Sequence, residues 1–158
     1  MDNTQLQLYV GDNAEVLATF DESSIDLTVT SPPYDKNRSY EGYEYDLKAV
    51  GDQLYRVTKP GGVLVWVIAD ATIKGSETGS SFKQALLLKD CGFNLHDTEI
   101  YAKNNPMPND CGKRYRQMFE YMFVFSVGTP KTFNPMTVPV QKKAASFKSF
   151  RVTASRPG

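Results

Sequence analysis

Two consecutive prolines, Pro32 and Pro33, follow directly on a segment of alternating polarity, and together they fix where the first clear strand of this chain must stop. Residues 24–30 place Ile25, Leu27 and Val29 on one side with polar residues between them, the two-residue period of a half-buried strand. Proline has no backbone N–H to give to a sheet ladder, so the strand ends at Thr30. Each proline also fixes its own φ near about −65° and drives the residue before it toward extended backbone. The result is a rigid turn, Thr30-Ser31-Pro32-Pro33-Tyr34, at the carboxyl end of a strand. In open α/β sheets that end is the edge where ligands bind.

The remaining pattern alternates between helix and strand. Leu47, Val50, Leu54 and Val57 have helical spacing over residues 46–56, and Pro60-Gly61-Gly62 ends that helix. Residues 63–68 form a continuous apolar run containing Trp66, as expected of a core strand covered on both faces. Phe82, Ala85, Leu86 and Leu88 repeat the helical spacing over residues 81–90, with Gly92 as the stop signal. Further strands are predicted near residues 95–102 and 121–127. Such alternation implies a layered α/β fold with a mainly parallel sheet.

The turn itself carries chemistry. Prolines leave carbonyls without competing donors, so the Ser31 hydroxyl and the carbonyl of Ser31 or Pro32 form a cluster of acceptors beside the Tyr34 ring. That combination suits an exocyclic amino group on a planar heterocycle, which offers two N–H donors next to a π surface. Composition alone equally allows a proline-rich turn that only caps a strand.

Charge narrows the function classes. Residues 1–102 hold 8 Lys+Arg against 16 Asp+Glu, net −8, and residues 103–158 hold 10 against 2, net +8. Lys113, Arg114 and Arg116, followed by Lys142, Lys143, Lys148, Arg151 and Arg156, interleave with Tyr115, Phe147 and Phe150, a pattern suited to phosphate contacts with aromatic support. A solvated, solubilising tail is the competing reading. A single histidine, His96, and two cysteines, Cys91 and Cys111, give no metal-ligand spacing, no Ser/His/Asp arrangement and no disulfide framework. No apolar run approaches the ~18 residues needed to span a bilayer, and the polar residues 1–7 are no signal peptide; a cytoplasmic protein without a membrane partner is expected. Residues 138–158 lose periodicity, so the expected division is 1–137 as the folded unit and 138–158 as a basic linker or the start of another region.

The turn and its surroundings resemble the amino-methylating DNA methyltransferases, in which Ser, Asp or Asn precedes Pro-Pro and an aromatic residue. Leu8-Tyr9-Val10-Gly11-Asp12 with Glu15-Val16-Leu17 is similar to the strand and helix before the catalytic strand of that family. Leu54-Tyr55-Arg56-Val57-Thr58-Lys59-Pro60-Gly61-Gly62, Cys91-Gly92-Phe93-Asn94-Leu95 with Glu99-Ile100-Tyr101-Ala102-Lys103, and Arg116-Gln117-Met118-Phe119-Glu120-Tyr121-Met122-Phe123-Val124-Phe125 resemble later segments in the same order. The likeness covers about residues 6–135. It implies the catalytic half of a Rossmann-like methyltransferase fold: α/β, mainly parallel, with an antiparallel strand near the end and helices on both faces.

The resemblance also implies roles. Ser31, Pro32, Pro33 and Tyr34 would be catalytic, holding the N4 amine of cytosine, preferred over the N6 amine of adenine, on a base flipped from double-stranded DNA. S-adenosylmethionine would be the methyl donor, with no metal, and Asp12, Ser31 and Pro32 would be its contacts; Asp12 equally suits a cap for the following helix. Lys36, Arg38, Tyr40, Lys113, Arg114, Arg116, Lys142 and Lys143 are candidate DNA contacts. Tyr40, Tyr43 and Tyr45 read either as a lid over the base or as an ordinary loop. The sequence departs from the family in one respect: none of its 11 glycines forms the Gly-x-Gly turn that cradles the donor. In the permuted class that turn comes later in the chain, so the missing half is expected from a longer chain, a second polypeptide or a partner copy. A nucleic-acid-binding remnant without catalysis, and an enzyme acting on RNA or protein glutamine, are the competing readings.

Overall fold

The structure, a computed structural model, describes residues 5–33, 46–105 and 114–136. Among the described residues nine elements follow in order: α1 (Asn13–Ala18), β1 (Ile25–Thr30), α2 (Leu47–Val57), β2 (Thr58–Ile68), β3 (Thr72–Ile73), β4 (Ser76–Glu77), α3 (Ser80–Asp90), β5 (Asn94–Ala102) and β6 (Phe119–Ser126). Four strands make the main sheet, in the order β1-β2-β6-β5, and β3 pairs with β4 apart from it.

Strand directions agree with the expected layout. β1 and β2 are parallel, and β6 is antiparallel to both β2 and β5, so β1, β2 and β5 all run one way. The last strand is inserted against the grain between two that share a direction. The carboxyl ends of β1, β2 and β5 therefore lie along one edge of the sheet, together with the start of β6.

The core occupies one face. Thr28 and Thr30 of β1 register with Leu64 and Trp66 of β2, which register with Phe125 and Phe123 of β6. Leu64, Trp66, Phe123 and Phe125 are buried in one cluster with Val50 and Leu54 of α2 and Ala85 and Leu88 of α3, and Ala14 and Leu17 of α1 pack on its margin. Helices on both faces were expected, but among the described residues all three lie against this face. The opposite face, with Leu27 and Val29 beside Val63, Val65, Met122 and Val124, is apolar, and Leu27 and Val29 stay 58% and 64% exposed. A strand's alternation fixes which residues share a face but leaves open what covers it.

A second expectation fails at the amino-terminal side. Residues 8–10 suggested a strand, yet they form no strand, and Leu8 and Val10 are 84% and 101% exposed. A strand needs a neighbour for its backbone groups, and β1, the adjacent edge, pairs only with β2 among the described residues. The helix after it does form, capped by the Asp12 side chain, which accepts from the N–H groups of Ala14 (2.9 Å) and Glu15 (3.2 Å).

Two polar anchors hold the elements around the site. Arg56 of α2 donates from Nη2 to the Leu17 carbonyl (2.8 Å) and from Nη1 to the Phe20 carbonyl (3.0 Å), closing the carboxyl end of α1. Arg56→Ala should lower stability by about 1–2 kcal/mol, as expected for charge-assisted hydrogen bonds, measured by urea unfolding. Asp70, 7% exposed just past β2, accepts from the N–H of Ser81 (3.0 Å) and from the hydroxyls of Ser81 (2.5 Å), Ser80 (3.0 Å) and Thr78 (3.2 Å). It caps α3 from a distance, where Gly79 at the N-cap offers no side chain.

Burial pushes the Asp70 carboxyl up, but the hydrogen bonds from Ser81, Ser80 and Thr78 prevail and hold its pKa below the ordinary 3.8. A carboxyl with a lower pKa in the folded than in the unfolded chain stabilises the fold above the unfolded value, and that stability is lost as pH falls through the folded one. Asp70→Asn should therefore flatten the loss of stability below pH 3.8, read from urea midpoints across a pH series.

Candidate active site

β1 ends at Thr30, and Ser31, Pro32 and Pro33 continue from it as the wall of a cavity of about 480 Å³. Ser31 is exposed, Pro32 buried and Pro33 half-buried, so the turn is anchored by its first proline and presents the serine. The cavity lies between the carboxyl end of β1, helix α1 and the segment before it: Tyr9, Gly11, Asn13, Val16 and Leu17 face Thr28, Thr30 and Ser31, with Val50, Leu54 and Trp66 beneath. Trp66 is 1% exposed and donates from Nε1 to Gln84 Oε1 at 3.0 Å, which makes it a satisfied floor to the cavity.

The local causes are visible in the sequence. The paired prolines stop β1, and Gly11, at φ 158°, brings the chain into α1 with Asp12 as its cap. Tyr9 packs its ring on Phe20 with centroids 5.0 Å apart and thereby takes its place on the cavity wall. A volume of several hundred Å³ lined mainly by apolar groups with a few polar ones is typical of small-molecule sites.

The structure brings Ser31, Pro32 and Pro33 together with Asn13 and Tyr9, two residues that motif reading did not select. Asn13, the first residue of α1, has no motif signal of its own in the sequence. Asp12 is adjacent, with its Oδ1 engaged by the amino end of α1. Of the DNA-contact candidates, Arg114 and Arg116 are described and lie just before β6, on the edge shared with the turn. Arg114 hydrogen-bonds the Gly75 carbonyl and pairs with Glu77 at 3.9 Å. Tyr34, Lys36, Arg38, Tyr40, Tyr43, Tyr45, Lys113, Lys142 and Lys143 lie outside the described residues, as does the expected boundary at 137–138.

The other candidate groups fall away from this cavity. His96 is exposed on β5, where the register with β6 shifts between Leu95 and Asp97. Cys91 has its thiol pushed up to about 11, first by burial and then by Asp52, which leaves it unreactive at neutral pH. Among the described residues no group of three or more His, Cys, Asp or Glu could hold a metal ion, and no helix is long and apolar enough to cross a membrane.

A cavity walled by Ser-Pro-Pro at the carboxyl end of a strand meets independent comparison here: the family model described as DNA methylase, for N6 and N4 enzymes, matches residues 25–156. The chain belongs to the N6/N4 DNA methylase family. The orphan methyltransferase M.BamHII of Bacillus amyloliquefaciens is 60% identical over 113 residues, covering 72% of this chain and 42% of the relative. A type II methyltransferase of Streptomyces fimbriatus, M.SfiI, is 28% identical over 80% of this chain and 37% of its own length. Among solved structures, a DNA modification methylase of Thermus thermophilus complexed with S-adenosyl-L-methionine superposes with a TM-score of 0.61 at 28% identity, over 81% of this chain and 57% of that one. The cytosine-N4-specific PvuII DNA methyltransferase gives a TM-score of 0.63 at 25% identity, over 78% and 50%. This member of the family thus spans 42% and 37% of the length of these curated relatives and about half that of the solved ones.

Proposed function

We propose that this chain forms the amine-positioning portion of an S-adenosylmethionine-dependent DNA methyltransferase, acting on an exocyclic amino group of a flipped base. The observation that carries this reading is the Ser31-Pro32-Pro33 turn on a cavity wall at the carboxyl end of β1. An exocyclic amine is a weak nucleophile because its lone pair is delocalised into the ring. Acceptance of its two N–H bonds by the Ser31 hydroxyl and by the carbonyl of Ser31 or Pro32 favours a pyramidal nitrogen with its lone pair directed outward, and preorganised acceptors of this kind are commonly a large catalytic contribution. The lone pair so directed would receive the methyl group of a bound sulfonium donor, the sulfur leaving as a neutral thioether, and Ser31 would pass the surplus proton on to water. The family resemblance assigns stacking on the base to Tyr34, which lies outside the described residues; one such stack contributes about 1–3 kcal/mol, comparable with the few kcal/mol spent on flipping.

The donor supplies an electrophilic methyl group on a sulfonium. This chain's residues fit part of it: the Tyr9 ring, Asn13 and the backbone near Gly11 and Ser31 suit a planar nucleoside in about 480 Å³. The Gly-x-Gly turn is absent from the 158 residues. Together with the apolar face bearing Leu27 and Val29, over which no helix lies among the described residues, this supports a requirement for a further portion, in a longer chain, a second polypeptide or a partner copy. Cytosine N4 is preferred to adenine N6 on the serine at the first motif position, a preference in keeping with the likeness to the cytosine-N4-specific enzyme. Digestion of modified DNA to nucleosides and mass spectrometry should give N4-methylcytosine; N6-methyladenine would reverse the base preference, and methylated RNA or glutamine with unmodified DNA would replace the substrate class.

A further inference from the structure

The carboxyl end of β2 carries a small antiparallel hairpin that has no part in the core. Thr72 pairs with Glu77 and Ile73 with Ser76, leaving Lys74-Gly75 as a two-residue tip with φ 49° and 83°. Two successive left-handed residues are the requirement of a tight hairpin turn whose twist matches its strands. Every residue from 72 to 77 is exposed, and Ile73 keeps 46% of its surface. The hairpin is nevertheless braced at both ends. At its base the Thr78 N–H donates to the Ala71 carbonyl at 3.0 Å and the Thr78 hydroxyl to Asp70 Oδ1 at 3.2 Å. At its tip Arg114 donates to the Gly75 carbonyl, and the same guanidinium offsets the charge of Glu77 at 3.9 Å.

Position gives this feature a use. β1 and β2 are parallel neighbours about 4.8 Å apart, and both Ser31 and the hairpin follow their carboxyl ends, so the hairpin rises from the same sheet edge as Ser31. Lys103, Arg114 and Arg116 follow β5 or precede β6 on that edge. A base can reach the Ser31 turn only if the backbone flanking it lies across this edge. A braced protrusion with an exposed ammonium at its tip and its single acid neutralised would then meet that backbone. We propose that the hairpin over residues 72–77 is a DNA-contacting element, with Lys74 on a phosphate and Ile73 against the groove wall, and that Arg114 is a positioning residue that holds the hairpin instead of a phosphate. The inference rests on the DNA reading above.

The test is anisotropy of a fluorescein-labelled duplex of mixed sequence, titrated with this chain over a series of salt concentrations. Lys74→Asn tolerates the left-handed backbone and removes the charge. It is expected to weaken binding several-fold and to reduce the slope of log affinity against log salt by about 0.9, one phosphate contact. Arg114→Ala should weaken binding comparably, raise hydrogen exchange at the amides of residues 72–78 without DNA, and make a subsequent Lys74→Asn nearly silent. Wild-type binding with an unchanged slope in Lys74→Asn would overturn the hairpin contact while leaving the proposed function intact. Additive losses from the two substitutions, with unchanged exchange in Arg114→Ala, would overturn the positioning role. No binding by wild type, either alone or with the remaining portion of the enzyme supplied, would defeat the DNA reading, and the hairpin contact with it.

Discussion

Ser31→Ala, introduced with the remaining portion of the enzyme present, is expected to lower kcat for methyl transfer by about 10²–10³, the usual loss when one preorganised polar group at a reacting centre is removed. Ser31 follows the last residue of β1 and is exposed on the cavity wall, whereas Pro32 behind it is buried. Alanine fits the same backbone and retains every carbonyl, so the fold and the proline geometry persist. The hydroxyl acceptor is lost. DNA affinity should change little, because phosphate contacts and stacking supply it and the hydroxyl acts on the nitrogen as it reacts. Ser31→Asn, which restores an acceptor, should recover part of the rate. Single-turnover kinetics alongside anisotropy separate the two quantities. An equal fall in affinity and rate would move Ser31 from chemistry to binding.

The largest effect on stability is expected at Trp66. Its ring is 1% exposed, registers with Thr30 on one side and Phe123 on the other, and donates to Gln84 on α3. It joins sheet to helix directly beneath the turn. Trp66→Ala should cost about 3–5 kcal/mol, the usual loss for a large aromatic core residue, against a total of about 5–15 kcal/mol for a domain. Chemical denaturation with near-ultraviolet circular dichroism checks it; a loss below 1 kcal/mol would mean the sheet and helices collapse readily into the space. Trp66→Phe, which keeps most of the volume and loses the donor, should fall between.

Legibility in the sequence followed the physics of each segment. β1, α2, α3, β5 and β6 were all expected close to their observed limits, because period-two and helical spacings are local properties and Pro32, Pro33 and Gly92 punctuate them. β2 begins at Thr58, earlier than the apolar run that announced it, because Pro60-Gly61-Gly62 continues as strand at the sheet's amino edge. What failed was non-local. Residues 8–10 have strand composition but no partner among the described residues, and the apolar alternates of β1 and β2 do not reveal that the described helices all lie on one sheet face. The site was half legible. Ser31 and the prolines declare themselves as a motif, but Tyr9, Asn13 and Trp66 reach the same cavity only through the crossing of α1 and the sheet. Arg114 read as one of many cations, and its bond to the Gly75 carbonyl, 39 residues away, has no sequence signature. The Lys74-Gly75 turn carried a weak signal in its glycine.

The central claim is that this chain positions an amine while a further portion completes the methyl-donor site. Transfer of a labelled methyl group from S-adenosylmethionine to duplex DNA, measured with these 158 residues alone and again with the remaining portion of a relative-length methyltransferase supplied, tests it most directly. The account predicts no transfer in the first case, and in the second a transfer that Ser31→Ala slows by about 10²–10³. Robust transfer by the 158 residues alone would contradict it, and so would complemented transfer that is indifferent to Ser31.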